Sequence, residues 1–173
     1  MNGPAARILP DGRLHLQHGP IDLIIEATGA ADAVQAALRA AARRFPDILP
    51  ALCAELDRLR TPLTAGGAPV GTGPVARRMA EACRPHRHVF ITPMAAVAGA
   101  VADEVLMAMT AAADLRTAYV NNGGDIAFHL APGARLTAGL VADVTMPAVA
   151  GTIALVHDRP ARGLATSGWR GRS

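Results

Sequence analysis

Between two runs of alternating apolar residues the chain reads Asn121-Asn122-Gly123-Gly124-Asp125, and no other stretch restricts the fold as tightly. Tyr119 and Val120 suit a pleated, half-buried strand, and Ile126 and Phe128 resume the alternation on one face. Two consecutive glycines supply the positive φ that tight hairpin turns demand, so the spacing predicts strand, turn, strand. The same residues have a second use. Glycines without a Cβ let backbone N–H groups approach a ligand phosphate or ring, and Asn and Asp side chains add directed hydrogen bonds. Local chemistry leaves both readings open, a plain hairpin and a ligand-contacting corner.

Upstream, Asp11-Gly12 and His18-Gly19-Pro20 bracket an expected strand at residues 13–17 and lead into another at 21–27. Leu14 and Leu16 alternate with His15 and Gln17, which buries one face and turns His15 and His18 toward solvent. Helical spacing follows at residues 31–45, 47–59, 74–83 and 93–112, each with a proline in its first turn or just past its end. Residues 61–74 hold Gly66-Gly67, Gly71, Gly73 and several prolines and read as a flexible surface loop. A short strand is expected at 89–92, with further strands at 135–141 and 152–157. Paired strands at both ends of a central block of helices predict an α+β fold with antiparallel sheet, in a single domain spanning 1–173.

Composition removes several chemistries. Every one of the 17 basic residues is arginine, so a Walker-type phosphate loop, a Schiff base and a lysine general base are excluded. A net charge of +3 with only 3% aromatic residues gives no nucleic-acid platform. Cys53 and Cys83 lack paired spacing and no signal segment precedes residue 10, which points to a reduced, cytoplasmic protein. The apolar run 89–102 contains Thr92, Pro93 and Gly99 and ends at Asp103-Glu104, too short to cross a bilayer. Cys83, His86 and His88 form a Cys-x2-His-x-His cluster with soft and borderline ligands, but no fourth ligand lies nearby and Arg84 and Arg87 oppose a cation, so no metal site is expected. Asp103 falls one helical turn beyond Gly99 and reads either as an exposed acid or as a ligand contact.

Three ordered segments resemble the ApbE-like superfamily of flavin transferases and, more closely, its shorter relatives, the UPF0280 family. They are residues 90–103 (Phe-Ile-Thr-Pro-Met-Ala-Ala-Val-Ala-Gly-Ala-Val-Ala-Asp), residues 120–126 (Val-Asn-Asn-Gly-Gly-Asp-Ile) and residues 163–168 (Gly-Leu-Ala-Thr-Ser-Gly). The resemblance implies an ApbE-type fold that holds FAD and, in the active transferases, uses Mg²⁺ to move FMN onto a Thr or Ser of an acceptor protein. It carries cofactor contact onto Asp103, Asn121, Asn122, Gly123, Gly124, Asp125, Thr166, Ser167 and Gly168. Ala98 stands where the transferases have Lys, and Ala100 where they have Tyr. Their His-bearing and metal-binding motifs would lie beyond Ser173, so a C-terminally incomplete chain without the Mg²⁺ site or catalytic His is expected. The first expectation is thus a flavin-nucleotide-binding protein. The alternative is a non-enzymatic scaffold or small-molecule-binding domain, dimeric through its Ala/Gly-rich helix. A metal-dependent hydrolase built on His86 and His88 is the third.

Overall fold

The computed structural model describes residues 3–64, 71–141, 145 and 148–166. Among these residues eight strands and five α-helices follow in the order β1 (Ala5–Ile8), β2 (Leu14–His18), β3 (Ile21–Thr28), α1 (Ala31–Arg44), α2 (Ile48–Ala54), α3 (Leu56–Leu59), α4 (Pro74–Cys83), α5 (Val97–Ala112), β4 (Thr117–Asn122), β5 (Asp125–Leu130), β6 (Arg135–Val141), β7 (Val149–Val156) and β8 (Gly163–Leu164). Six strands form one antiparallel sheet in the order β1-β2-β3-β4-β5-β8, and β6 and β7 pair as a separate ribbon. The fold is α+β with antiparallel sheet, as the order of elements predicts. The two end groups of strands meet through β3 and β4, where Leu23 faces Asn122 and Thr28 faces Thr117.

Period-two alternation gives the sheet two different faces. Leu14, Leu16, Leu23, Ile25, Ala118, Val120 and Ala127 point inward and meet Ala37 and Ala41 of α1, Met79 of α4 and Val101, Val105 and Met109 of α5 in one core. Each large apolar side chain so buried is worth about 1.5–3 kcal/mol, which makes α5 the main organiser of the helical layer. Small residues let it approach, since Ala100 and Ala102 are buried in that core. The outward face carries Phe128 and Leu130, and at that end the β6–β7 ribbon packs on it through Leu136 and Leu155.

Several expectations need correction. Residues 89–90 form a bend and 91–92 are irregular rather than a strand; Val89 and Phe90 are exposed, and the Ile91 carbonyl accepts from the Leu63 N–H. Alternation cannot make a strand without a neighbour to pair with. The helix expected over 47–59 breaks at Glu55, whose carboxylate accepts the Thr72 and Gly73 N–H groups at 2.6 and 2.9 Å. Residues Pro93–Ala96 are a 3-10 turn, and α5 begins at Val97. Counted together, Pro93–Ala112 is 20 residues long with a mean hydropathy of 1.5, long and apolar enough for a span, which the run ending at 102 is not. Its buried side chains lie in the core described above, and Asp103 and Glu104 sit mid-helix. Strand β1 has all four residues exposed and no apolar pattern to announce it. His18 does not face open solvent: its ring meets Phe45 edge-on at 6.2 Å, and its Nδ1 is buried with no partner among the described residues. Of the loop at 61–74, residues 65–70 lie outside the described residues.

Candidate functional site

The glycine pair makes the turn itself. Gly123 and Gly124 have φ of +63° and +113°, between paired Asn122 and Asp125, the signs that a primed two-residue hairpin requires. The Gly124 N–H donates to Asn121 Oδ1 at 2.9 Å. The Gly124 carbonyl accepts from the Thr166 N–H at 3.3 Å and from the Thr166 hydroxyl at 3.1 Å. A Cβ on Gly124 would stand 2.1 Å from Thr166 Oγ1, whereas one on Gly123 would meet nothing within 4 Å. Glycine at 124 is therefore required by both the turn and Thr166, and at 123 by the turn alone.

Strand parity divides the remaining candidates. Asn122 and Asp125 are cross-strand partners on the helix side, where Asn122 Nδ2 donates to the Ala98 carbonyl at 3.1 Å and ties the corner to the start of α5. Asp103 lies five residues along the same helix, roughly 140° around its axis from Ala98, and so does not converge on the corner. Burial pushes the Asp103 carboxyl above its ordinary range, partly opposed by Arg78. Beside it, Glu104 accepts from Arg44 Nε at 2.8 Å and Arg78 Nη1 at 2.9 Å. Asn121 and Thr166 lie at the other side, near the strand β5–β8 edge. Ser167 and Gly168 fall outside the described residues.

On the outward face a cleft of about 270 Å³ opens between the sheet and the ribbon. Tyr119, Asn121, Ile126 and Phe128 form its floor, Leu136, Ala138 and Leu155 its roof, and Leu164 closes one end. Tyr119 and Phe128 are directly opposed across β4 and β5, so the single tyrosine and one of the 3 phenylalanines lie side by side there. The Tyr119 hydroxyl donates to Glu26 Oε2 at 2.9 Å; burial, with Glu26, holds the phenol above its usual range against the pull of Arg13. Asn121 Oδ1 is held by Gly124, which leaves its Nδ2 donors without a partner among the described residues. Sequence reasoning singled out Asn121, which lines the cleft, but did not anticipate the roof. The signal was present in Leu136, Ala138 and Leu140 alternating opposite Leu155 and Ile153, yet nothing local says which surface that stripe covers.

These contacts test the expected cofactors. An aromatic floor, apolar roof and unpaired amide at the edge fit one planar ring system, and the volume lies just below the ordinary range for small-molecule sites. Mg²⁺ finds no match: among the described residues no three His, Cys, Asp or Glu side chains gather, and Asp103 has Arg78 as its charged neighbour. Cys83 is buried with its thiol toward the Thr92 and Pro93 carbonyls, while His86 and His88 are exposed.

A helix-backed antiparallel sheet with a cleft on its free face defines the class as an α+β domain. The chain matches the family model "AbpE bacteria" over residues 6–173 and belongs to that ApbE-related family. A comparison with curated proteins returns no match.

Proposed function

We propose that the protein binds a flavin nucleotide, FAD or FMN, with the ring system in the cleft between β4–β5 and the β6–β7 ribbon. One observation carries the reading: the opposed Tyr119 and Phe128 rings floor a cavity of about 270 Å³ beside an amide whose Nδ2 has no partner among the described residues. Ring edges and faces pack well against aromatic side chains, and an unpaired amide donor discriminates a ligand bearing ring carbonyls. Gly123, Gly124 and Thr166 shape the mouth, while Asn122 and Asp125 brace it from the helix side. Binding rather than transfer is proposed, because position 98 is alanine and offers only a carbonyl, already engaged by Asn122.

The test is titration of FAD and FMN into the purified chain, with and without Mg²⁺, followed by flavin fluorescence. Saturable quenching that needs no Mg²⁺ is expected. Asn121→Asp keeps the oxygen that accepts from Gly124 and removes the amide donors, so it weakens flavin binding about tenfold while leaving the unfolding free energy within about 0.5 kcal/mol. Absence of uptake under both conditions refutes the reading. It would favour a scaffold domain instead, a role supported by the internal engagement of Asn122, Gly124 and Thr166.

A further inference from the structure

One row of side chains crosses the whole outward face. Arg7, His15, Ile24, Asn121, Ile126 and Leu164 are successive cross-strand partners, one from each strand of the large sheet. Three strand spacings separate Asn121 from Arg7, about 14 Å. At the far end Arg7 Nε donates to His15 Nδ1 at 2.9 Å, and His15 Nε2 meets Asp22 Oδ1 at 2.8 Å. A guanidinium has donors only, so Nδ1 must accept, the ring proton sits on Nε2, and Asp22 receives it. This relay fixes the Arg7 stem through Nε and leaves both terminal nitrogens without a partner among the described residues. A second guanidinium on this face, Arg13, is held by Asp11 at 2.6 Å. The three acids are likewise engaged: Asp11 by Arg13, Asp22 by His15 and Glu26 by Tyr119.

Among the described residues near the cleft, most anion donors are already engaged. The Gly124 N–H, the Thr166 N–H and hydroxyl and the Asn122 amide all have internal partners. We propose that Arg7, oriented by His15 and Asp22, receives the phosphate of the ligand whose ring occupies the cleft. The proposal rests on the flavin reading and adds to it that the glycine corner is not the phosphate site. A planar fork with two unengaged nitrogens matches a phosphate bidentately, which a lone ammonium does not. The span is too long for a phosphate attached directly to the ring and suits one carried on a polyol or sugar chain lying over Ile24. His15 and Asp22 are positioning residues, since they act through Arg7.

The experiment compares riboflavin with FMN on the full chain and on Arg7→Gln, Arg7→Lys and His15→Ala, each first matched for its urea midpoint. Wild type is expected to bind FMN at least tenfold more tightly than riboflavin, with a preference that shrinks as salt rises. Arg7→Gln brings the ratio near one by weakening FMN alone, Arg7→Lys restores it in part, and His15→Ala lowers it severalfold but adds nothing in the Arg7→Gln background. An unchanged ratio in Arg7→Gln, with flavin still bound, overturns the assignment and leaves the flavin reading standing. If neither flavin binds, that reading falls and Arg7 is judged on inorganic pyrophosphate, titrated while the His15 ring resonances are followed. Saturable shifts lost in Arg7→Gln support the site, and no saturable shift overturns it.

Discussion

Replacing Gly124 with alanine isolates what joins the hairpin corner to the last described strand. At φ of +113° an L side chain is strained, by roughly 1–2 kcal/mol for a left-handed conformation. The new Cβ would also stand 2.1 Å from Thr166 Oγ1, so the hydroxyl must leave the Gly124 carbonyl, taking the weaker Thr166 N–H bond with it. Those bonds are solvent-exposed and contribute about 1 kcal/mol together. Gly124→Ala should therefore cost about 2–3 kcal/mol. Gly123→Ala, at φ of +63° with nothing within 4 Å, meets only the backbone strain and should cost about 1 kcal/mol. Thr166→Ala supplies the control, because the Thr166 Cβ lies an ordinary 3.4 Å from the built atom once Oγ1 is gone. The Gly124→Ala, Thr166→Ala pair should then be less destabilised than the sum of the singles by about 1 kcal/mol. Urea unfolding followed by far-ultraviolet circular dichroism measures all four. Equal costs at positions 123 and 124, or strict additivity with Thr166, would refute the clamp.

Two charge predictions concern the helical layer. Glu104 joins α1 and α4 to α5; burial alone would raise its carboxyl, but hydrogen bonds from Arg78 and Arg44 outweigh that and hold it below the ordinary range. A carboxyl lowered in the folded state stabilises above its unfolded pKa, and that stability is lost as pH falls through the folded pKa. Glu104→Gln should cost about 1–3 kcal/mol at neutral pH and flatten the acid limb of the stability profile, only in part because Glu55 and Asp11 are lowered too. An acid limb that keeps its full slope would dismiss this account. Asp103 carries the opposite sign: burial raises its carboxyl, so ionisation at neutral pH opposes folding and acidification relieves it. Asp103→Asn should stabilise by roughly 0.5 kcal/mol at neutral pH and by less in acid, after allowance for its partial exposure. A destabilised variant would mean that the carboxylate holds something.

What could be read along the chain follows the range of the forces involved. Pro74 at a first helical position and the Gly123-Gly124 pair act through their own φ, so α4 and the hairpin are legible from a few residues. Strand β1 depends on pairing Arg7 with His15 rather than on its own alternation, and residues 89–92 show the converse, strand-forming side chains without a partner. His15 is correctly turned to the outward face by parity, but its bonds to Arg7 and Asp22 require the register of three strands. His18, one step past the alternation, is carried under Phe45 by helix packing that no local pattern records. The cleft is the least legible part, since Tyr119 and Phe128 come from one hairpin and Leu136 and Leu155 from another.

Strand parity also explains why a motif that reads as one unit serves two purposes. Asn121 and Asn122 are neighbours in sequence, yet successive side chains leave a strand on opposite faces. Asn122 therefore reaches the Ala98 carbonyl and fixes the corner against α5, while Asn121 accepts from the Gly124 N–H and lines the cleft. A one-residue slip of β4 against β3 would exchange the two roles and bring Val120 out of the core. The buried alternation of Ala118 and Val120 thus holds the outward amide in place, and the apolar core determines the geometry of the site it never touches.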